Sequence, residues 1–100
     1  MFIAMNKFKI VRGREEEFIA IWKNRRTYLD EVPGFQEFHL LKGPSFDEYT
    51  LFASHSTWKS QQSFEDWTHS EAFRKAHGQA GAAREIYMGP PQFEGFAAVL

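Results

Sequence analysis

The opening segment constrains the chain most. Residues 2 to 11, FIAMNKFKIV, alternate with a period of two: Phe2, Ala4, Asn6, Phe8 and Ile10 fall on one side, and Ile3, Met5, Lys7, Lys9 and Val11 on the other. This pattern predicts a strand with one apolar face, interrupted at its centre by an amide, Asn6. Gly13 supplies a turn, and the spacing then becomes helical. From Arg14 to about Glu31, Phe18, Ile21, Trp22, Tyr28 and Leu29 recur on one side, Arg25 lies with them, and Glu15, Glu16 and Glu17 occupy the positive end of the dipole. Pro33 and Gly34 predict the stop.

Phe35 to Leu41 reads as a second strand, residues 43 to 48 as a turn, and Tyr49 to Trp58 as a third strand. Ser60 or Ser63 can cap a helix carrying Phe64 and Trp67, and Ser70 can start a shorter one carrying Phe73, Ala76 and His77, ended by Gly78 and Gly81. Residues 82 to 91 read as a loop before a last strand over about Gln92 to Leu100. The order is that of an α+β, ferredoxin-like split β-α-β-β-α-β fold: an antiparallel four-stranded sheet with helices on one face. Its other face needs cover, and a second copy of the chain is the simplest source, so a homodimer is expected.

A length of 100 residues fits one domain spanning 1–100. Aromatic residues make up 17% of it, more than so small a core encloses, so some rings should line a pocket or an interface. The net charge of -1 and short basic runs give no footprint for nucleic acid. The absence of cysteine excludes disulfides and thiolate-held metals. The N-terminal residues are too short and interrupted to span a membrane and show no leader pattern, so a cytoplasmic location is the default.

Few residues are equipped for chemistry. His77, four positions after Phe73, shares its helical side, and Ala76 leaves a low wall on which a flat ligand can lie. No other His, Asp or Glu sits at a spacing that completes a three- or four-ligand site. A metal here would take its remaining ligands from a cofactor, as haem iron does. The plainer alternative is a helix-end cation. Asn6 must find a partner or bear a desolvation cost of roughly 1 to 3 kcal/mol. Trp67 reads equally as core or as a ring pressed on a planar ligand, Trp22 and Trp58 as core or interface, and Arg25 as a carboxylate binder or a surface ion-pair partner. No role emerges for His39, His55 or His69. Neither a Ser-His-Asp order nor a phosphate loop nor a GxGxxG signature is visible.

With Asn6 in NKF, GFQEFHLLKG at 34 to 43 and STWKSQQSFEDWTHSEAFRKAH at 56 to 77, the chain resembles the IsdG-type haem-degrading monooxygenases, within the antibiotic biosynthesis monooxygenase (ABM) fold group. The resemblance covers nearly the whole chain, and the joint presence of Asn6, Trp67 and His77 is its specific part. It implies a dimeric α/β-barrel that binds haem as both substrate and cofactor. By the same resemblance His77 is the axial iron ligand, Asn6 a distal donor, Trp67 the ring that holds the porphyrin non-planar, and Arg25 a group on the propionate side. O₂ and an external electron donor or reductase would open the ring and release iron. Two other activities compete with this one: a cofactor-independent monooxygenase of a polycyclic phenol or quinol, and a haem carrier without turnover.

Overall fold

The computed structural model describes residues 1–25, 28–77 and 84–100, with the backbone alone at positions 76, 77 and 84. Strand β1 (Phe2–Val11) leads into helix α1 (Glu15–Asn24), followed by β2 (Phe35–Ser45), β3 (Tyr49–Trp58), α2 (Gln61–Thr68), α3 (Glu71–His77) and β4 (Gln92–Ala97), with 3-10 turns at Leu29–Glu31 and Arg84–Ile86. The strands form one sheet in the order β2-β3-β1-β4, antiparallel throughout. Element order and sheet topology are those of the ferredoxin-like split fold.

The expected barrel is not there. The sheet is open: β2 and β4 are its two edges and do not pair with each other. Four strands are far fewer than the roughly eight that close a sheet around filled side chains.

The period-two reading of β1 has its counterpart in burial. Phe2, Ala4, Phe8 and Ile10 are buried beneath the helices, whereas Lys9 on the opposite face is exposed. Two clusters share this inner face. Phe8, Ile10, Phe52 and Ile86 pack with Phe18 of α1, and Phe2, Ala4, Leu29 and Trp58 pack with Phe64 and Trp67 of α2. Asn6 lies between them on β1, so the polar interruption in the sequence is also the gap in the core.

Local chemistry accounts for the helix ends. Ser60 Oγ accepts from the Ser63 backbone N–H at 3.1 Å, and Ser70 Oγ accepts from the Phe73 N–H at 3.2 Å, so both predicted caps exist. Glu15 anchors the start of α1 by accepting from the Gly13 N–H and the Thr50 hydroxyl, each at 2.8 Å. Helix α1 ends at Asn24 rather than near Glu31. Arg25 is extended (φ -79°, ψ 132°), and Tyr28 takes a left-handed conformation (φ 62°), which redirects the chain and buries Leu29 in the second cluster. Strand β2 runs to Ser45, through the expected turn at Gly43-Pro44. An edge strand tolerates proline there, and the register shifts between Lys42 and Ser45. The expected loop at 82 to 91 contains the turn at Arg84–Ile86, where Ile86 is fully buried, and β4 stops at Ala97. Gly78 and Gly81, read as the end of α3, lie outside the described residues.

On the outer face, Ile3, Met5, Leu51 and Ala53 are half-buried, while Leu41 and Phe96 are exposed. No helix of the described residues is long and apolar enough to cross a membrane.

Candidate functional site

The gap between the two clusters opens as a cavity of about 270 Å³. Its floor is the inner face of the sheet, with Ala4 and Asn6 from β1 and Ser54 and Ser56 from β3. Asn6 and Ser54 are direct cross-strand partners. Aromatic walls rise on either side: Trp22 and Phe38, stacked at 5.5 Å, on one, and Phe64, Trp67, Phe73 and Phe93 on the other. Phe64 and Phe93 stack at 5.6 Å, and Trp67 meets Phe73 edge-on at 4.8 Å. The surplus of rings seen in the sequence is thus concentrated around one apolar slot.

Three of the four candidate residues line this slot: Asn6, Arg25 and Trp67. The fourth, His77, is the last residue of α3, one helical turn after the wall residue Phe73; its side chain lies outside the described residues. Trp67 also borders a second cavity, of about 320 Å³, whose rim carries Glu31 and Asp66, so the indole stands as a partition between the two spaces. Trp58 is fully buried core, as one of its two readings held. Trp22 combines roles, packing against Phe8 and Phe18 while facing the slot.

The polar groups divide into those with protein partners and those without. Ser56 Oγ accepts from the Trp58 indole N–H at 3.0 Å. Asn6 and Ser54 make no side-chain hydrogen bond among the described residues, although Ser54 is only 8% exposed. The Trp22 indole N–H is buried and also lacks a partner there. Arg25 leaves the helix and lays its guanidinium over the Trp22 ring, 4.3 Å from the ring centre. Burial lowers its pKa, partly offset by Tyr87, and Tyr87 is itself raised by burial. A guanidinium stays charged under such pressure. Among the described residues no carboxylate pairs with Arg25, so the slot has a cation available for an anionic ligand.

Sequence reasoning did not single out Ser54 or Phe93. The signal for Ser54 was available in β3, where every second residue from Thr50 to Trp58 shares the inner face with Phe52. Phe93 had no such signal, since its place depends on the pairing of β4 with β1.

The model for the family described as antibiotic biosynthesis monooxygenase matches residues 1–79. The chain belongs to this family. A family relative from Bacillus cereus strain B4264, named heme-degrading monooxygenase, is 28% identical over 88% of this chain and 81% of its own length. Among solved structures, the heme-degrader MhuD from Mycobacterium tuberculosis, with two hemes bound in its active site, superimposes with a TM-score of 0.73. It is 25% identical, over 100% of this chain and 97% of that one. SnoaB from Streptomyces nogalater, a cofactor-independent oxygenase, gives a TM-score of 0.66 over 99% of this chain and 94% of its own. At 18% identity it speaks for the shared fold alone.

Proposed function

We propose that the protein is a haem-degrading monooxygenase that uses O₂ and external electrons to open the porphyrin ring and release iron. The observation that carries this reading is the convergence of Asn6, Trp67 and Arg25, which has no carboxylate partner among the described residues, on one aromatic slot in a chain similar to two named haem degraders.

The side chains present suit the ligand. Flat aromatic walls match a macrocycle, Arg25 matches a propionate, and the Asn6 amide, without a side-chain partner among the described residues, is a neutral donor inside a largely apolar space. Among the described residues no cluster of three His, Asp or Glu side chains could hold a metal. We assign to His77 the one axial imidazole that haem iron asks of a protein, since a tetrapyrrole brings four nitrogens of its own. Bound haem would supply both the oxygen-activating iron and the carbon framework that is oxidised.

The chain's own contributions are binding and orientation. His77 would hold the iron, Arg25 would pair with a carboxylate, and Trp67 would pack against the ring. Asn6 donates a hydrogen bond and cannot act as a base, because an amide has no useful proton affinity near neutral pH. Electrons come from a separate donor. A second copy of the chain covers the outer face of the sheet, where Leu41 and Phe96 are exposed.

A specific observation favours one rival. The slot's 270 Å³ falls just below the roughly 300–1,000 Å³ usual for small-molecule sites, which suits a smaller polycyclic phenol oxidised without a cofactor. Haemin titration followed at the Soret band distinguishes the two, with ascorbate or a reductase then added under air. The expected result is a near-stoichiometric complex whose Soret band decays, and its loss in His77→Ala. A protein that takes up no haemin but consumes O₂ with a phenolic substrate fits the rival. A stable complex without decay makes it a haem carrier.

A further inference from the structure

The floor of the slot holds two groups whose hydrogen-bonding capacity is unused. Asn6 and Ser54 face each other across β1 and β3 on the inner side of the sheet, and both line the cavity. Direct cross-strand partners have Cβ atoms roughly 4.5–5.5 Å apart, so one small atom can touch both side chains. The other nearby hydroxyl, Ser56, is already engaged by the Trp58 indole.

Ser54 is more than nine-tenths buried and its hydroxyl has no partner among the described residues. The hydroxyl itself is not sealed off, so the residue's remaining exposure gives it access to the slot that Ser54 lines. Its neighbours do not help: Leu40 on β2 is apolar, and Phe52 two residues earlier packs into the core. Besides the Asn6 amide opposite it, the hydroxyl can find a partner in the cavity.

We infer that Ser54 is a ligand-binding residue that acts with Asn6 as a two-point clamp on a single hydrogen-bonding atom of the bound molecule. A hydroxyl both donates and accepts, whereas the Asn6 amide supplies two donors and one acceptor group, so the pair accepts a ligand oxygen in either protonation state. Arg25 also lines the slot. The ligand class that satisfies these groups is a flat aromatic body that carries an anionic carboxylate and a hydrogen-bonding atom held over the sheet. This deepens the haem reading and rests on it for the identity of the occupant, but the clamp applies to any ligand of that class.

The test compares wild type, Ser54→Ala and Ser54→Thr, each checked for an unchanged far-UV spectrum. Haemin-loaded protein is titrated with fluoride, a small hydrogen-bond acceptor that binds ferric iron, and its affinity is read from the charge-transfer band. Loss of one hydrogen bond in Ser54→Ala should weaken fluoride by about two- to tenfold, and Ser54→Thr should recover most of the loss. Equal fluoride affinity in wild type and Ser54→Ala overturns the clamp and leaves the haem reading intact. If wild type takes up no haemin, the haem reading fails, and the same variants are titrated with 3-hydroxy-2-naphthoate by quenching of tryptophan fluorescence. Weaker binding by Ser54→Ala then supports the clamp, and equal binding overturns it.

Discussion

The guanidinium of Arg25 lies over the indole of Trp22, 4.3 Å from the ring centre, with no carboxylate to pair with it among the described residues. An arginine so placed is held by stacking and by burial, which leaves its forked donors for something else. That makes it the strongest electrostatic feature of the slot.

Replacing it should therefore affect anionic ligands selectively. Arg25→Met keeps much of the stacking volume but removes the charge. Charged hydrogen bonds contribute about 1.5–3 kcal/mol, so haemin binding should weaken by about ten- to a hundredfold. Haemin dimethyl ester, which lacks the carboxylates, should bind wild type and variant alike. Soret titrations of both ligands check this, and an equal loss for the ester would mean that Arg25 acts by packing alone.

Gly34 is a stability hotspot of a different kind. Its φ of +86° disfavours any L side chain, and a Cβ there would overlap Ser63 Oγ at the start of α2. Gly13 has a similar φ of +92° but open space around it. Both alanine variants incur a left-handed strain of about 1–2 kcal/mol, and only Gly34→Ala adds the overlap. Thermal unfolding should place Gly34→Ala below Gly13→Ala, each kcal/mol lowering Tm by about 4–8 °C.

The pH response near α1 has a defined sign. The Glu15 carboxyl is held below its ordinary range, chiefly by the Thr50 hydroxyl, with the Gly13 N–H and Arg12 adding to it. A carboxyl whose folded-state pKa is lowered stabilises the fold above its unfolded value, and that contribution disappears as pH falls through the lowered one. Glu15→Gln keeps the shape but cannot ionise. Urea midpoints taken from neutral to acid pH should converge for wild type and variant as the carboxylate protonates. A constant difference between them would contradict the assignment.

The proposed second copy is testable at the outer face. Leu41 is 42% exposed on edge strand β2, so the fold of one chain does not need it, whereas a partner covering this face would bury it. Leu41→Asp should leave the unfolding midpoint of dilute protein nearly unchanged and weaken self-association by about tenfold or more, read by sedimentation velocity across a concentration series. A wild-type chain that stays monomeric at high concentration removes the proposal.

The parts of this fold that were legible in the sequence are those governed by local rules. Alternation in β1 needs only the pleat, and the Ser60 and Ser70 caps need only the unsatisfied N–H groups of the next turn. The end of α1 was not legible, because Leu29 falls at a helical spacing from Trp22 although the chain between them has left the helix. Ile86 was missed for a related reason: a single buried residue in a three-residue turn has no period to betray it. Open-sheet geometry also escaped, since the barrel was inferred from a resemblance and not from the strands. At the site, Asn6 stood out as an amide on an apolar strand face. Ser54 did not, because a serine among alternating residues looks harmless until the strand opposite is known.

The division of the interior at Asn6 makes this protein's robustness conditional. Phe2 and Trp58 at one end and Phe8 and Phe52 at the other form separate greasy masses, joined by the Trp22–Phe38 stack, and a guest molecule in the slot would add to that link. An occupant at a hundred times its dissociation constant adds about 2.7 kcal/mol to the fold. A thermal-shift screen of planar carboxylates would therefore rank candidate guests before any turnover assay is available.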